Sequence, residues 1–330
     1  MRVRQLLPPA LTTSMAALAA LLLPAAAPPA AAADADPVQL TRGFYVDPHS
    51  PPAEWARDNA GDPRAKQIQR AIAGKPMGRW FGAWDADVRG AVADHTGAAA
   101  KDNKLPLLVA YNVPGRDCGG HSGGGATSAA EYRSWIEDFA AGIGDRPALV
   151  VVEPDALPQL DECLSPDEQR ERTALIRHAT EQLREKAPNA WAYLDAGTAH
   201  WKPAPDMAER LDAAGLRNAH GFSINVANYY ETGESGDFAR EINTELRRNA
   251  DYIKPYVIDT SRNGNGSNRE WCNPGGRKLG PAAKTGGPGG AEMLLWVKTP
   301  GASDGRCGIA PDMDAGQFSP ELAMRLIEGR

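Results

Sequence analysis

Apolar, β-branched runs that stop abruptly at a polar residue recur along this chain, separated by stretches with a helical period. Leu149-Val150-Val151-Val152 runs into Glu153-Pro154-Asp155, and Leu107-Leu108-Val109-Ala110-Tyr111 runs into Asn112-Val113-Pro114. A continuous apolar run of that length predicts a strand buried on both faces, and the proline beyond it forbids further ladder pairing. Each such strand carries polar side chains to one end of a sheet. Further strands are predicted at Trp80-Phe81, 192–195, 221–225, 256–259 and 294–298, with a short entry strand at 43–47.

The intervening segments read as helices. Ser128 and Glu131 form a capping box ahead of one apolar face made of Tyr132, Trp135, Ile136, Phe139 and Ile143. Ser165-Pro166-Asp167-Glu168 repeats the start signal, with proline at the first helical position, and the helix it opens runs to about Lys186. Helices are also predicted over 63–73, 88–100, 206–214 and 238–249, and after Ser319-Pro320, while a Gly/Pro/Asn-rich loop spans 261–290. About seven strands thus alternate with helices, the pattern of a parallel sheet. Asp117 follows its strand closely, and Asp155, Asp195, Asn225, Asp259 and Lys298 stand at or just past the ends of theirs. A parallel β/α barrel gathers such residues on one face, whereas a doubly wound sheet normally shows GxGxxG after its first strand, and none is present.

The N-terminal pattern differs. Arg2 and Arg4 precede an apolar run over 10–23, and Ala31-Ala32-Ala33 stands before Asp34. This predicts a secretory signal peptide over 1–33, broken by prolines before it reaches membrane-spanning length. Residues 34–330 are expected to form a single catalytic domain. A net charge of −6 without a block of lysine or arginine excludes nucleic acid and an acidic membrane as partners, and a neutral substrate fits better. Cys118, Cys163, Cys272 and Cys307 are too far apart for a CxxC zinc site, and in an oxidising compartment four cysteines suggest two disulfides, with three pairings open.

Several chemistries drop out on motif grounds. His121, His200 and His220 are scattered without HExxH spacing, so no metal is expected, and neither a GxSxG elbow nor a P-loop ending occurs. Carboxylates dominate the predicted face. Trp80, Trp84, Trp201 and Trp271 fall in loops or at element ends beside Gly, Pro, His or Asn, whereas Trp135 falls on a helical core face. Flat rings in an open cleft stack on sugar faces while carboxylates and amides bond hydroxyls. Two carboxylates acting on a neutral polymer is glycoside hydrolysis, one protonating the leaving oxygen and the other attacking or activating water.

The boxes Tyr111-Asn112-Val113-Pro114-Gly115-Arg116-Asp117-Cys118-Gly119 and Val151-Val152-Glu153-Pro154-Asp155-Ala156-Leu157 resemble the two signatures of glycoside hydrolase family 6, the cellulases once called family B. Tyr193-Leu194-Asp195-Ala196-Gly197, Asn225-Val226-Ala227-Asn228-Tyr229, Ile258 through Gly266, Glu270-Trp271-Cys272 and Trp296-Val297-Lys298 extend the likeness over about 45–318. It implies a distorted, incompletely closed α/β barrel of seven parallel strands, and inverting hydrolysis of β-1,4-glucans with no cofactor. The bacterial secreted endoglucanase type fits best, acting as a monomer. A mixed-linkage β-glucanase, an exo-acting cellobiohydrolase and a catalytically weakened carbohydrate-binding protein are the alternatives. By motif, Asp155 is the general acid, Asp117 is the neighbour that tunes its protonation and assists catalysis, and Asp304 is the proposed base, acting directly or through water; Glu153, two residues before Asp155, is expected to add nearby negative charge. Trp80, Trp201, Asn228, Trp271 and Lys298 match sugar-binding positions, and Cys118–Cys163 and Cys272–Cys307 are the implied disulfides. Three departures stand out: Ala302-Ser303 where many members have a glutamate near the base, Thr198 for a histidine, and Gly123 for a serine.

Overall fold

The computed structural model describes Met1 and residues 36–330, and residues 36–330 belong to one compact unit. Residues 2–35, and with them the expected signal peptide, lie outside the described residues.

Seven parallel strands follow the predicted runs: β1 (Arg79–Phe81), β2 (Leu107–Ala110), β3 (Ala148–Val152), β4 (Ala190–Asp195), β5 (Gly221–Ile224), β6 (Tyr256–Asp259) and β8 (Met293–Leu295). An eighth, β7 (Lys284–Thr285), pairs antiparallel with β8 at the edge, so the sheet runs β1-β2-β3-β4-β5-β6-β8-β7. Its two residues are exposed and show no strand pattern, which is why the sequence hides it. The expected entry strand at 43–47 shrinks to one bridge between Phe44 and Leu105, made by Leu105 N–H to Gly43 O and Tyr45 N–H to Leu105 O. The last parallel strand stops at Leu295 rather than 298, since the N–H groups of Val297 and Lys298 are taken by the Asp259 carboxylate.

Alternate side chains of the strands build two apolar layers. Leu108, Ala110, Val150, Val152, Leu194, Phe222 and Ile258 pack outward against helix residues such as Tyr132, Ile136, Leu175 and Met207. Leu107, Val109, Leu149, Val151, Tyr193, Val257, Met293 and Leu295 form a second cluster that contains no helix residue and fills the barrel. With both faces buried, the strands show no polar alternation. The barrel is incompletely closed: β1 and β8 share no ladder, but Gly78 N–H donates to Trp296 O at 2.8 Å and the Trp80 indole N–H to Val297 O at 3.0 Å. A Cβ at position 78 would stand 2.6 Å from Val297 O, so glycine is what lets the seam come together.

The helices wrap the sheet. α1 (Pro51–Asp58) and α2 (Ala65–Ile68, continued by a π turn through Ala73) precede β1; α3 (Val88–Lys101) and α4 (Ala129–Ile143) pack side by side. α5 (Leu160–Cys163), α6 (Pro166–Lys186), α7 (Ala204–Ala213), α8 (Thr232–Ala250) and α9 (Pro320–Glu328) follow. The Ser165/Glu168 box closes as predicted. At Ser128 only half of it forms, because Glu131 turns its carboxylate to Thr127. α8 begins six residues before the predicted 238, capped by a Glu231/Glu234 pair in which glutamate takes the place usual for serine.

Candidate active site

The polar strand ends meet as the alternation predicted. Asp117, Asp155, Asp304, Trp80, Trp201, Asn228, Trp271 and Lys298 all line one open cleft at the carboxyl ends of the strands. Three further carboxylates, all buried, knit the rim beneath it. Glu153 accepts from Asn112 N and Val113 N at 2.9–3.0 Å, tying β3 to the loop after β2. Asp195 accepts from Asp155 N at 2.9 Å and Gly197 N at 3.1 Å, and Asp259 from Ala227, Ser261, Val297 and Lys298 N–H groups. Backbone donors at strand ends that would otherwise be orphaned are thus satisfied. Left-handed backbone at Asp117 (φ 54°), Glu153 (50°), Asp155 (68°) and Asn225 (67°) makes the sharp turns, at a cost of about 1 kcal/mol each or more.

On one wall, Asp155 is surrounded by like charge. Burial, then Asp195, then Asp117 push its carboxyl well above the ordinary carboxylate range, with Lys298 opposing. The expected contribution of Glu153 is corrected here: that side chain turns away to the β2 loop, and the neighbouring charge is Asp195 instead. Burial raises both Glu153 and Asp195 to about 7 against the N–H bonds they accept. Asp117 accepts from Ser122 N at 2.7 Å, and Gln159 Nε2 reaches its other oxygen at 3.5 Å.

The other wall reverses the charge. Asp304 accepts from Arg262 Nη1 at 2.9 Å on both oxygens, Lys298 Nζ at 3.1 Å, Tyr229 OH at 3.0 Å and Asn273 N at 3.1 Å. Burial alone would raise its carboxyl, but Arg262 and Lys298 outweigh that and hold it at about 2. Arg262 is itself buried, lies over the Tyr229 ring at 4.3 Å, and donates to Ala227 O. Arg262, Tyr229 and Asn273 were not singled out from sequence. The available signal was an arginine and asparagines in a polar run directly after a fully buried strand.

Aromatic rings flank both walls. Trp80 meets Tyr111 edge-on at 5.1 Å, Trp201 donates its indole N–H to Glu162 at 2.7 Å, and Trp271 stands 52% exposed with His121 6.1 Å away. The disulfides Cys118–Cys163 and Cys272–Cys307 both form, each in a loop that carries a cleft carboxylate. His121 lies near Cys272 and Cys307, but those sulfurs are bonded to each other and offer no thiolate to a metal. The departures also find a physical setting. A Cβ at Gly123 would stand 2.9 Å from Gly119, so the loop has no room there, and Ser122 lines the cleft instead. Ala302 is buried, and the Thr198 hydroxyl bonds Asn225 Oδ1 at 3.4 Å.

Comparison with known proteins gives a consistent picture. The model of the glycosyl hydrolases family 6 matches residues 40–330. Endoglucanase 1 of Streptomyces halstedii is 53% identical over 296 residues, which cover 89% of this chain and 91% of that one. Endoglucanase A of Cellulomonas fimi is 43% identical over 87% of this chain, which spans only 61% of that longer protein. Among solved structures, the Mycobacterium tuberculosis endoglucanase Cel6, in complex with a methyl cellobiosyl-4-deoxy-4-thio-β-D-cellobioside, superposes with a TM-score of 0.82 at 39% identity. The match covers 89% of this chain and 99% of that one.

Proposed function

The chain belongs to family 6 of the glycosyl hydrolases, and from that premise we propose how its cleft cuts a β-1,4-glucan. It is an endo-β-1,4-glucanase of an inverting cellulase family, like the Streptomyces halstedii endoglucanase that matches it nearly end to end. The observation that carries the residue assignment is the opposite charge of the two walls. Asp155, kept protonated by burial and by Asp195 and Asp117, gives its proton to the glycosidic oxygen as the bond to the anomeric carbon breaks. Water attacks that carbon from the other face, forming the new C–O bond with inversion. The proton released by that water passes through a second water to bulk solvent, which also returns a proton to Asp155. Asp304 at about 2, with its lone pairs filled by Arg262, Lys298, Tyr229 and Asn273, is a weak direct acceptor. Its role is to hold that wall's charge and orient the waters. Trp80, Trp201 and Trp271 stack on glucosyl rings, while Asn228 and Lys298 bond hydroxyls.

The protein is further read as a secreted monomer with one catalytic domain over 34–330, on the strength of its N-terminal pattern and its two disulfides. The test is product analysis on carboxymethylcellulose, mixed-linkage β-glucan and xylan in parallel. Viscosity of carboxymethylcellulose should fall early relative to reducing-end release, and NMR should show the α-anomer first. Cellobiose release with little change in viscosity would show an exo enzyme, and a first-formed β-anomer would end the inverting assignment.

A further inference from the structure

Two tryptophans are exposed, Trp271 at 52% and Trp84 at 54%, and only the first has a place in the cleft described so far. Trp84 lines a second cavity that adjoins the first and shares four of its lining residues, Trp80, Tyr111, Ser122 and Lys298. Trp201 lines the first cavity and is absent from the second, so the second continues the cleft past Trp80 at the end away from Trp201.

The local chain is built to hold the Trp84 ring there. Gly82, Trp84 and Asp85 form a tight turn in which the Asp85 carboxylate accepts the Gly82 N–H at 3.1 Å. The ring folds back over Gly82, where a Cβ would lie 2.6 Å from the indole, so only glycine admits it. The Arg116 guanidinium lies 5.0 Å from the ring centroid and 4.7 Å from that of Tyr111, fixed by its own bonds to Ser122 O and Tyr111 O. The carboxylate of Asp85 and the Asp47 and Glu54 side chains on the same cavity supply acceptors of the kind that bond sugar hydroxyls.

We propose that this second cavity binds glucosyl units of the same β-1,4-glucan chain beyond Trp80, with Trp84 as their stacking platform. The proposal rests on the endoglucanase reading and adds a binding site to it. Chains long enough to reach past Trp80 gain a contact that shorter ones lack, so the enzyme favours long segments in the interior of a polymer.

The experiment compares kcat/KM for cellohexaose and cellotetraose in the wild type, W84A and W84F. Wild-type turnover of the two oligosaccharides checks the parent reading, and the ratio between them checks this one. In W84A the hexaose-to-tetraose ratio should fall about fivefold to tenfold, the scale of one ring-stacking contact, while W84F should restore it to within about twofold. A ratio equal to wild type in W84A, even if both rates fall, would mean that Trp84 only props Arg116 and would overturn the assignment. So would a loss that W84F shares in full.

Discussion

Asp155 and Asp304 line the same cleft, the first partly exposed and the second buried, yet their surroundings drive their carboxyls in opposite directions. Around Asp155 the partners are Asp195 and Asp117, so burial and like charge act together to keep a proton on it. Around Asp304 they are Arg262 and Lys298, and two cations overcome its burial. One carboxyl is a proton store and the other a fixed anion. The lesson is that desolvation alone assigns no role, and the sign of the nearest charges decides which carboxylate does acid work. Mutations that remove one wall's character while sparing the other separate the two directly.

The largest effect should come from Asp155→Asn. Loss of general acid catalysis costs roughly 10²–10⁴-fold on cellulose, whose leaving alcohol needs a proton. A cellobioside with a dinitrophenol leaving group needs none, and much of its turnover should survive. Equal losses on both substrates, measured by steady-state kinetics, would remove Asp155 as the acid.

Asp304→Asn should act differently, impairing both substrates and also the fold. It strands Arg262 in a buried position, where breaking a pair costs about 3–5 kcal/mol. The pH dependence has a definite sign. The Asp304 carboxyl is depressed in the folded state, so its contribution is present above the ordinary carboxylate range near 4 and is lost as pH falls through about 2. Glu153 and Asp195 are raised to about 7, so theirs is present below about 4 and is lost as pH rises through 7. Thermal melts should show stability falling at both ends in the wild type. The acid-side fall should be smaller in Asp304→Asn.

The disulfides sharpen the contrast by wall. Cys272 precedes Asn273, which both donates to Asp304 and accepts its N–H, whereas Cys118 follows Asp117. Each bridge closes a loop of 35 or 45 residues and should contribute on the order of 3–4 kcal/mol in the chain-entropy model. C272A/C307A should therefore lower the denaturation midpoint and loosen Asp304, impairing activity on both kinds of substrate. C118A/C163A should lower the midpoint similarly but impair cellulose more than the dinitrophenyl substrate, because it frees the loop beside the acid. Kinetics on the two substrates after urea-melt calibration would show whether the losses divide this way.

How far the sequence discloses all this depends on whether a feature is local. β2 and β3 were legible because a run apolar at every position has few alternatives, and α6 because serine, proline and glutamate mark its start within four residues. β7 was not, since two exposed residues join the sheet only through pairing with β8. In the cleft, the strand-then-acid pattern pointed to Asp117 and Asp155, whereas Asp304, Asn228 and Lys298 gained their roles only through family resemblance. The turn at Glu153 was hidden as well. Its left-handed backbone sends the side chain to the β2 loop, and nothing in Glu-Pro-Asp distinguishes the carboxylate that knits the rim from the one that faces the cleft. Arg262 and Tyr229 meet Asp304 from 42 and 75 residues away, a separation that no local pattern encodes.

The smallest predicted effect, and the most specific to the comparison, is at Asp195. Its carboxylate accepts the Asp155 N–H at 2.9 Å and the Gly197 N–H at 3.1 Å, so asparagine can keep the acceptor geometry through its carbonyl oxygen. What asparagine removes is charge. The Asp195 charge acts directly on Asp155, so the alkaline limb of activity reports on both carboxyls. In the wild type, the charge of Asp195 and the burial of the site both raise the hold of Asp155 on its proton. In Asp195→Asn that support is gone, and the alkaline limb of kcat/KM on cellulose should move to lower pH, while the plateau on the acid side stays within a few-fold of wild type. On the dinitrophenyl cellobioside, which asks for no proton, the limb should not move. A limb that stays in place on cellulose, or moves equally on both substrates, would mean that Asp195 serves the fold of the rim and not the protonation of the acid.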